Sequence, residues 1–237
     1  MNIKVTLKRT IFFRWYCSYL EYRRKRHLDM MSALLKKEGA ITLKMFADAL
    51  NHAAIDFWID YGTLLGYRRD NDFLEHDNDI DTGAFIEDAD AIREVLTHSG
   101  FKLVRYYHTL DGEFREHCYC RIGTHLTIDV FYYRRIGNLL KGSCFSLHDK
   151  TIKIKYNLNK ELPFQTILIN TPFNGLKKVL FKETEVKIPI NIDEYLLANY
   201  GPNFMIPDPD FSYKSAPNIQ LLPYDEKPAI GYLEIPY

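Results

Sequence analysis

The sequence predicts an α+β fold: a mixed central sheet with helices packed against it. Three observations carry this expectation. A long stretch of helical apolar periodicity opens the chain and two shorter ones follow. Short β-branched and aromatic runs lie between them, and Gly123-Thr124 joins two of those runs as a hairpin would. With 237 residues, 46% hydrophobic side chains and 31 basic against 31 acidic residues, the chain suits one well-buried domain with room for a small appendage. A net charge of zero gives no global attraction to nucleic acid, so no nucleic-acid partner is expected.

The elements follow in order. Residues 1–27 set Lys4, Lys8, Arg9, Arg14, Arg23, Arg24, Lys25 and Arg26 among Ile11, Phe12, Phe13, Trp15, Tyr16, Tyr19 and Leu20. This reads as a basic amphipathic helix, either packed with its basic face in water or resting peripherally on an anionic membrane. The segment lacks the clean apolar core and cleavage site of a signal peptide, and no apolar run approaches a membrane span. Four cysteines in no disulfide pattern fit reduced thiols and a cytoplasmic setting, at the inner membrane face if the basic segment touches lipid.

Over 28–54, Leu34, Leu35, Ile41, Leu43, Phe46, Ala47 and Leu50 recur at helical spacing, with an interruption expected near Gly39. Residues 55–60 are short and aromatic-rich, hence a strand; 62–69 read as a turn into a short helix, and 79–85 as a strand. A helix is expected over 87–99, with acidic residues in its first turn and Gly100 at its end. Strands are expected at 101–108, 115–122 and 126–133, then more briefly at 151–156, 166–169 and 185–188. A last helix over 192–200 closes at Gly201-Pro202. Seven of the ten prolines lie beyond it, so 211–237 read as an irregular tail packed on the surface.

The chemistry concentrates in WIDYGTLLGYRRDNDFLEHDNDIDTGAF, residues 58–85. Asp77, Asp79 and Asp81 are spaced two apart, and on an extended strand such residues share a face. Two carboxylates about 4 Å apart repel by about 4 kcal/mol near a surface, so both stay ionised only beside a cation. Hard oxygen donors without Cys or His in the run point to Mg2+ or Mn2+. The Gly62-Thr63 turn offers backbone N–H groups and a hydroxyl to a phosphate.

In the run LTIDVFYY, Asp129 stands alone among apolar residues. A lone buried carboxylate is expensive unless paired or metal-bound. It therefore reads as the third ligand of a two-metal site, or as half of a salt bridge with Arg121 or Arg134. A calcium loop counted from Asp77 would need Gly and Glu where Thr82 and Asp88 stand. Cys118 and Cys120, two apart on an expected strand, read as a reduced pair; with His117 or His125 they lack the spacing of a zinc knuckle.

Gly62-Thr63, Asp79-Ile80-Asp81 and Asp129 together resemble the nucleotidyltransferase-fold (polymerase-beta-like) superfamily. More narrowly, DYGTLLGYRR followed by HDNDIDTG resembles the LicD family, which includes bacterial phosphocholine transferases and the fukutin-related proteins. Arg69 matches the arginine of the family's GTLLG-x-x-R segment, and LKKVLFKETEVKIPINIDEYLLANYG resembles its closing segment. The resemblance runs from about residue 43 to 209 and marks 28–210 as the catalytic domain. Departures at Asp72 and at Glu75-His76, where the family has glycine and a proline-tryptophan step, bear on the acceptor pocket rather than the metal site.

The resemblance implies a transferase that moves a phosphorylated alcohol (ribitol phosphate, glycerol phosphate, phosphocholine or similar) from a CDP-linked donor to a glycan or glycolipid hydroxyl, releasing CMP. Asp79, Asp81 and Asp129 would be the catalytic metal ligands, with Asp129 also a candidate to draw off the acceptor proton. Gly62, Thr63, Arg69 and Asp77 would bind substrate. A true nucleotidyltransferase acting on a small acceptor and a catalytically silent glycan-pathway module remain the alternatives.

Overall fold

The computed structural model describes residues 3–147, 161–208 and 211–233. Helix α1 runs unbroken over Ile3–His52. Its second half buries Leu35, Leu43, Phe46, Ala47 and Leu50 as one stripe at three- and four-residue spacing. Gly39 falls within that stripe and does not interrupt the helix. A Cβ at this position would lie 2.8 Å from the Phe73 ring, so glycine is where the helix lets Phe73 approach. That packing outweighs the roughly 1 kcal/mol of helix propensity glycine forfeits. From residue 15 to 30 the helix is nearly all exposed, Trp15, Tyr16, Tyr19, Leu20 and Tyr22 included.

Next come β1 (Phe57–Ile59), α2 (Tyr61–Asp70), β2 (Ile80–Phe85), α3 (Ala89–His98), β3 (Phe101–Thr109), β4 (Arg115–Arg121) and β5 (Thr127–Ile136), all close to expectation. The Gly123-Thr124 hairpin forms as read: Gly123 takes φ +84° and the Thr124 N–H donates to the Arg121 carbonyl at 3.1 Å. The chain continues through β6 (Leu139–Leu147), β7 (Glu161–Pro172), β8 (Leu176–Phe181), β9 (Thr184–Pro189), α4 (Ile192–Tyr200), β10 (Ile219–Leu221) and β11 (Pro228–Leu233). Strands β6 and β8 were not expected, and the strand expected at 151–156 lies outside the described residues.

The main sheet is ordered β1-β2-β5-β4-β3-β11-β7-β10, and β6 pairs with both β5 and β7, so the sheet curls back on itself. Among the described residues β2 and β5 form the parallel pair, and the other ladders are antiparallel. One face of the sheet packs Ile80, Ile128, Val130, Tyr119 and Tyr132 into the core with residues of α1 and α3. The opposite face bears the polar row described below.

The expectation of an irregular tail is corrected. Strand β11 lies between β3 and β7, with Gly231 opposite both Tyr107 and Leu162. Pro228 is the first residue of the strand, a position where proline is tolerated. The prolines therefore punctuate the tail without excluding it from the sheet.

Candidate active site

Parallel pairing of β2 with β5 sets Ile80 opposite Ile128 and Asp81 opposite Asp129. Residues opposite one another share a face, so this register buries the isoleucines in the core and puts both carboxylates on the other side. The row continues across the sheet: Asp129 stands opposite Cys118 on β4, and Cys118 opposite Arg105 on β3. Asp79 lies one residue ahead of β2. Four strands thus contribute to one line of side chains, Asp81, Asp129, Cys118 and Arg105.

Arg105 is the partner that sequence reasoning missed. Its Nη2 stands 3.3 Å from Asp129 Oδ1 and donates to Cys118 Sγ at 2.8 Å. Neither Arg121 nor Arg134, the expected partners, fills this place; Arg121 bridges to Glu38 on α1 at 2.6 Å. No local signal marks Arg105, because its link to Asp129 exists only through the strand order. Cys118 and Cys120 are unbridged, and His117, just ahead of Cys118, hydrogen-bonds Tyr119 and Tyr132 on the core side.

The Gly-Thr turn begins α2 and is tied to the acidic strand. The Gly62 N–H donates to Asp81 Oδ2 at 3.0 Å, and Thr63 Oγ1 accepts the Asp81 N–H at 2.9 Å. A Cβ at Gly62 would lie 2.7 Å from Asp77 Oδ2 and 3.2 Å from Asp81 Oδ2, so a side chain here would displace both carboxylates. Thr63 is fully buried. Both residues therefore aim Asp81 in this structure.

Just ahead, Asp60 caps α2. It accepts the Tyr61 N–H at 2.8 Å and the hydroxyls of Tyr133 and Tyr195 at 2.9 Å each. Burial raises its pKa to about 6 against the pull of these hydrogen bonds. An aspartate directly before a helical run is an N-cap signal, which could have singled it out.

A cleft of about 850 Å3 opens over this face, walled by Gly62, Asp77, Asp81, Phe131, Tyr200 and Glu116 among others. Tyr200 ends α4, where the sequence placed the last helix's close, and lines the cleft wall. Arg69 also lines the cleft, but its Nε and Nη2 donate to the carbonyl of Phe204, and Nη2 also to that of Ile206 at 3.1 Å. It clamps the segment after α4 as well as supplying charge.

Burial, then the charges of Asp79, Asp129 and Asp77, pushes the Asp81 carboxyl well above its ordinary range. Asp79 is raised by burial and by Asp129 and Asp77, against Arg105. Asp77 is raised to about 6, chiefly by burial, and its Oδ2 is buried without a hydrogen-bond partner. An oxygen-only donor set with uncompensated repulsion and an orphaned oxygen fits a hard divalent cation. Among the described residues no three such groups stand gathered as a closed ligand set, in keeping with the hold of Arg105 on Asp129.

A family model described as the nucleotidyltransferase domain of LicD, FKTN and FKRP matches residues 54–189. The human ribitol-5-phosphate transferase FKTN is 26% identical over 211 residues, which cover 86% of this chain and 42% of that protein. The mouse ribitol 5-phosphate transferase FKRP is 24% identical over 179 residues, 72% of this chain and 32% of that protein. The chain thus spans about two fifths of the length of the FKTN relative and about a third of the FKRP one.

Proposed function

Because the chain belongs to the LicD/FKTN/FKRP nucleotidyltransferase-domain family, we propose that it is a metal-dependent transferase acting on a CDP-activated alcohol. It would move the phosphorylated alcohol to a sugar hydroxyl of a surface or capsular glycan or glycolipid and release CMP. Ribitol phosphate is favoured over glycerol phosphate and phosphocholine, since both kinds of relative are named ribitol-phosphate transferases. The observation that supports this reading most is the placement of Asp81 opposite Asp129, beside Asp79, under a cleft of about 850 Å3. That volume is typical of a small-molecule site.

Asp79, Asp81 and Asp129 would hold Mg2+ or Mn2+, which when bound neutralises charge on the diphosphate. The Gly62 amide and Thr63 hydroxyl keep Asp81 aimed, and the N-terminal end of α2 favours nearby phosphate. Arg69, on the cleft wall, would add positive charge for the departing CMP, and Asp77 beside it would border the substrate. Positioning and electrostatics supply most of the catalysis in such transfers. The exposed aromatic and basic stretch of α1 suits peripheral contact with an anionic membrane, which would place the enzyme at the cytoplasmic face.

The test is a thermal-shift panel of CDP-ribitol, CDP-glycerol, CDP-choline, CTP and UDP-sugars, each with and without magnesium. Magnesium-dependent stabilisation by one CDP-alcohol, followed by CMP release, is expected. Stabilisation by CTP alone, with pyrophosphate as product, would replace the proposal with nucleotidyl transfer, and silence throughout would sink both.

A further inference from the structure

The reading above leaves open which group takes the proton of the attacking hydroxyl. Asp129 is poorly placed for that task. It stands opposite Asp81 in the proposed metal row, and its Oδ1 already faces the Arg105 guanidinium at 3.3 Å. A second carboxylate lies one step along the same face. Glu116 on β4 stands opposite Phe131 on β5 and Tyr107 on β3, two residues from Cys118, the direct partner of Asp129. Glu116 and Asp129 are therefore diagonal neighbours on antiparallel strands, a relation that spans about 7–8 Å. A substrate oxygen fits between two carboxylates so spaced.

Glu116 lines the same cleft as Asp77 and Asp81. Among the described residues no hydrogen bond or ion pair engages its carboxylate. A glutamate inside an apolar cleft wall contributes nothing to stability there, since burying it unpartnered is unfavourable. We propose that Glu116 is the proton acceptor for the hydroxyl that attacks phosphorus, leaving Asp129 with its cation.

This assignment rests on the phosphoalcohol-transfer reading. The O–H bond breaks and its proton passes to the Glu116 carboxylate. The freed oxygen forms the new O–P bond as the P–O bond to CMP breaks, and CMP leaves with that electron pair. Glu116 then returns the proton to solvent. Its surroundings suit the role: Arg105 and Tyr107 from β3, Asp129 from β5, Cys144 from β6 and Tyr213 act on it. Burial and the Asp129 charge raise its proton affinity, against Arg105. A carboxylate with raised proton affinity is the better acceptor for a hydroxyl proton.

The experiment compares Glu116→Gln with the wild-type full chain, using the CDP-alcohol that stabilises the wild type. CMP release should fall by about 100-fold or more. Magnesium-dependent thermal stabilisation by the donor should be unchanged, and the acid limb of the rate–pH profile should vanish. In Glu116→Ala, added formate should restore part of the rate. A Glu116→Gln rate near wild type with its acid limb intact overturns the assignment. Loss of donor stabilisation in step with the rate also overturns it, by making Glu116 a donor-binding residue. A wild-type chain that releases no CMP from any CDP-alcohol removes the transferase reading and this assignment together.

Discussion

Asp81 meets several influences at once: the Gly62 amide and Thr63 hydroxyl orient it, while Asp79, Asp129 and Asp77 repel its charge. Replacing it separates fold from chemistry. Asp81→Asn should keep the fold and lose metal-dependent CMP release by about a thousandfold or more, several kcal/mol of transition-state stabilisation. Circular dichroism checks the first part and a magnesium titration of the rate the second. Near-normal turnover in a folded Asp81→Asn protein would remove Asp81 from the site. Gly62→Ala probes the same point sterically. Its Cβ would sit 2.7 Å from Asp77 Oδ2, so Asp77 and Asp81 must shift. Turnover should drop about tenfold or more, since displacing a positioned group by about an ångström costs up to about 100-fold. Unchanged kcat and magnesium dependence would count against that geometry.

At the scale of elements, helix α1 and strand β11 depend on contacts distant in sequence. In Gly39→Ala, helix propensity favours alanine by up to about 1 kcal/mol, but overpacking against the Phe73 ring costs about 1–3 kcal/mol. The ring is also braced edge-on by Phe181, with centroids 5.3 Å apart. Packing should win, leaving the variant less stable by roughly 1 kcal/mol in urea titration; a stabilised variant would show that Phe73 yields freely. Truncation after Lys227 removes β11, which pairs with β3 on one side and β7 on the other. Two strand edges would be left open within the sheet, so the truncated chain should aggregate or lose cooperative unfolding. A monomeric truncation with wild-type melting would contradict that central position.

For the molecule as a whole, pH couples the site to stability. Asp77, raised to about 6, keeps a proton in the folded state that the unfolded chain releases near its ordinary value of 3.8. Its contribution to stability therefore declines as pH rises between those values. Asp60, raised to about 6 chiefly by burial, acts with the same sign. His117 opposes both: burial lowers its pKa to about 3 from 6.5, so its contribution grows with pH across that interval. The total curve is a balance of the two, but the effect of magnesium isolates the site. A cation binds the ionised carboxylates, so the melting-point difference between magnesium and chelator should widen from pH 5 to pH 7.5. A difference that is flat or shrinks with pH would speak against carboxylate ligation.

The sequence by itself determined the α+β class, the strands from 101 to 133, the hairpin at Gly123-Thr124 and the family. These rest on period, turn chemistry and a motif contiguous in the chain, all local properties. It also singled out Asp79, Asp81 and Asp129, since a run of alternating carboxylates and a lone aspartate among apolar residues stand out without neighbours. Only the tertiary structure decided which residues meet. Parallel register set Asp81 beside Asp129; strand order brought in Arg105 and Glu116; the curl of the sheet set Asp81 and Glu116 on one cleft. It also placed β11 inside the sheet and kept α1 whole through Gly39. In each case the deciding energy was a packing or pairing contact between segments far apart in sequence, which local propensity does not encode.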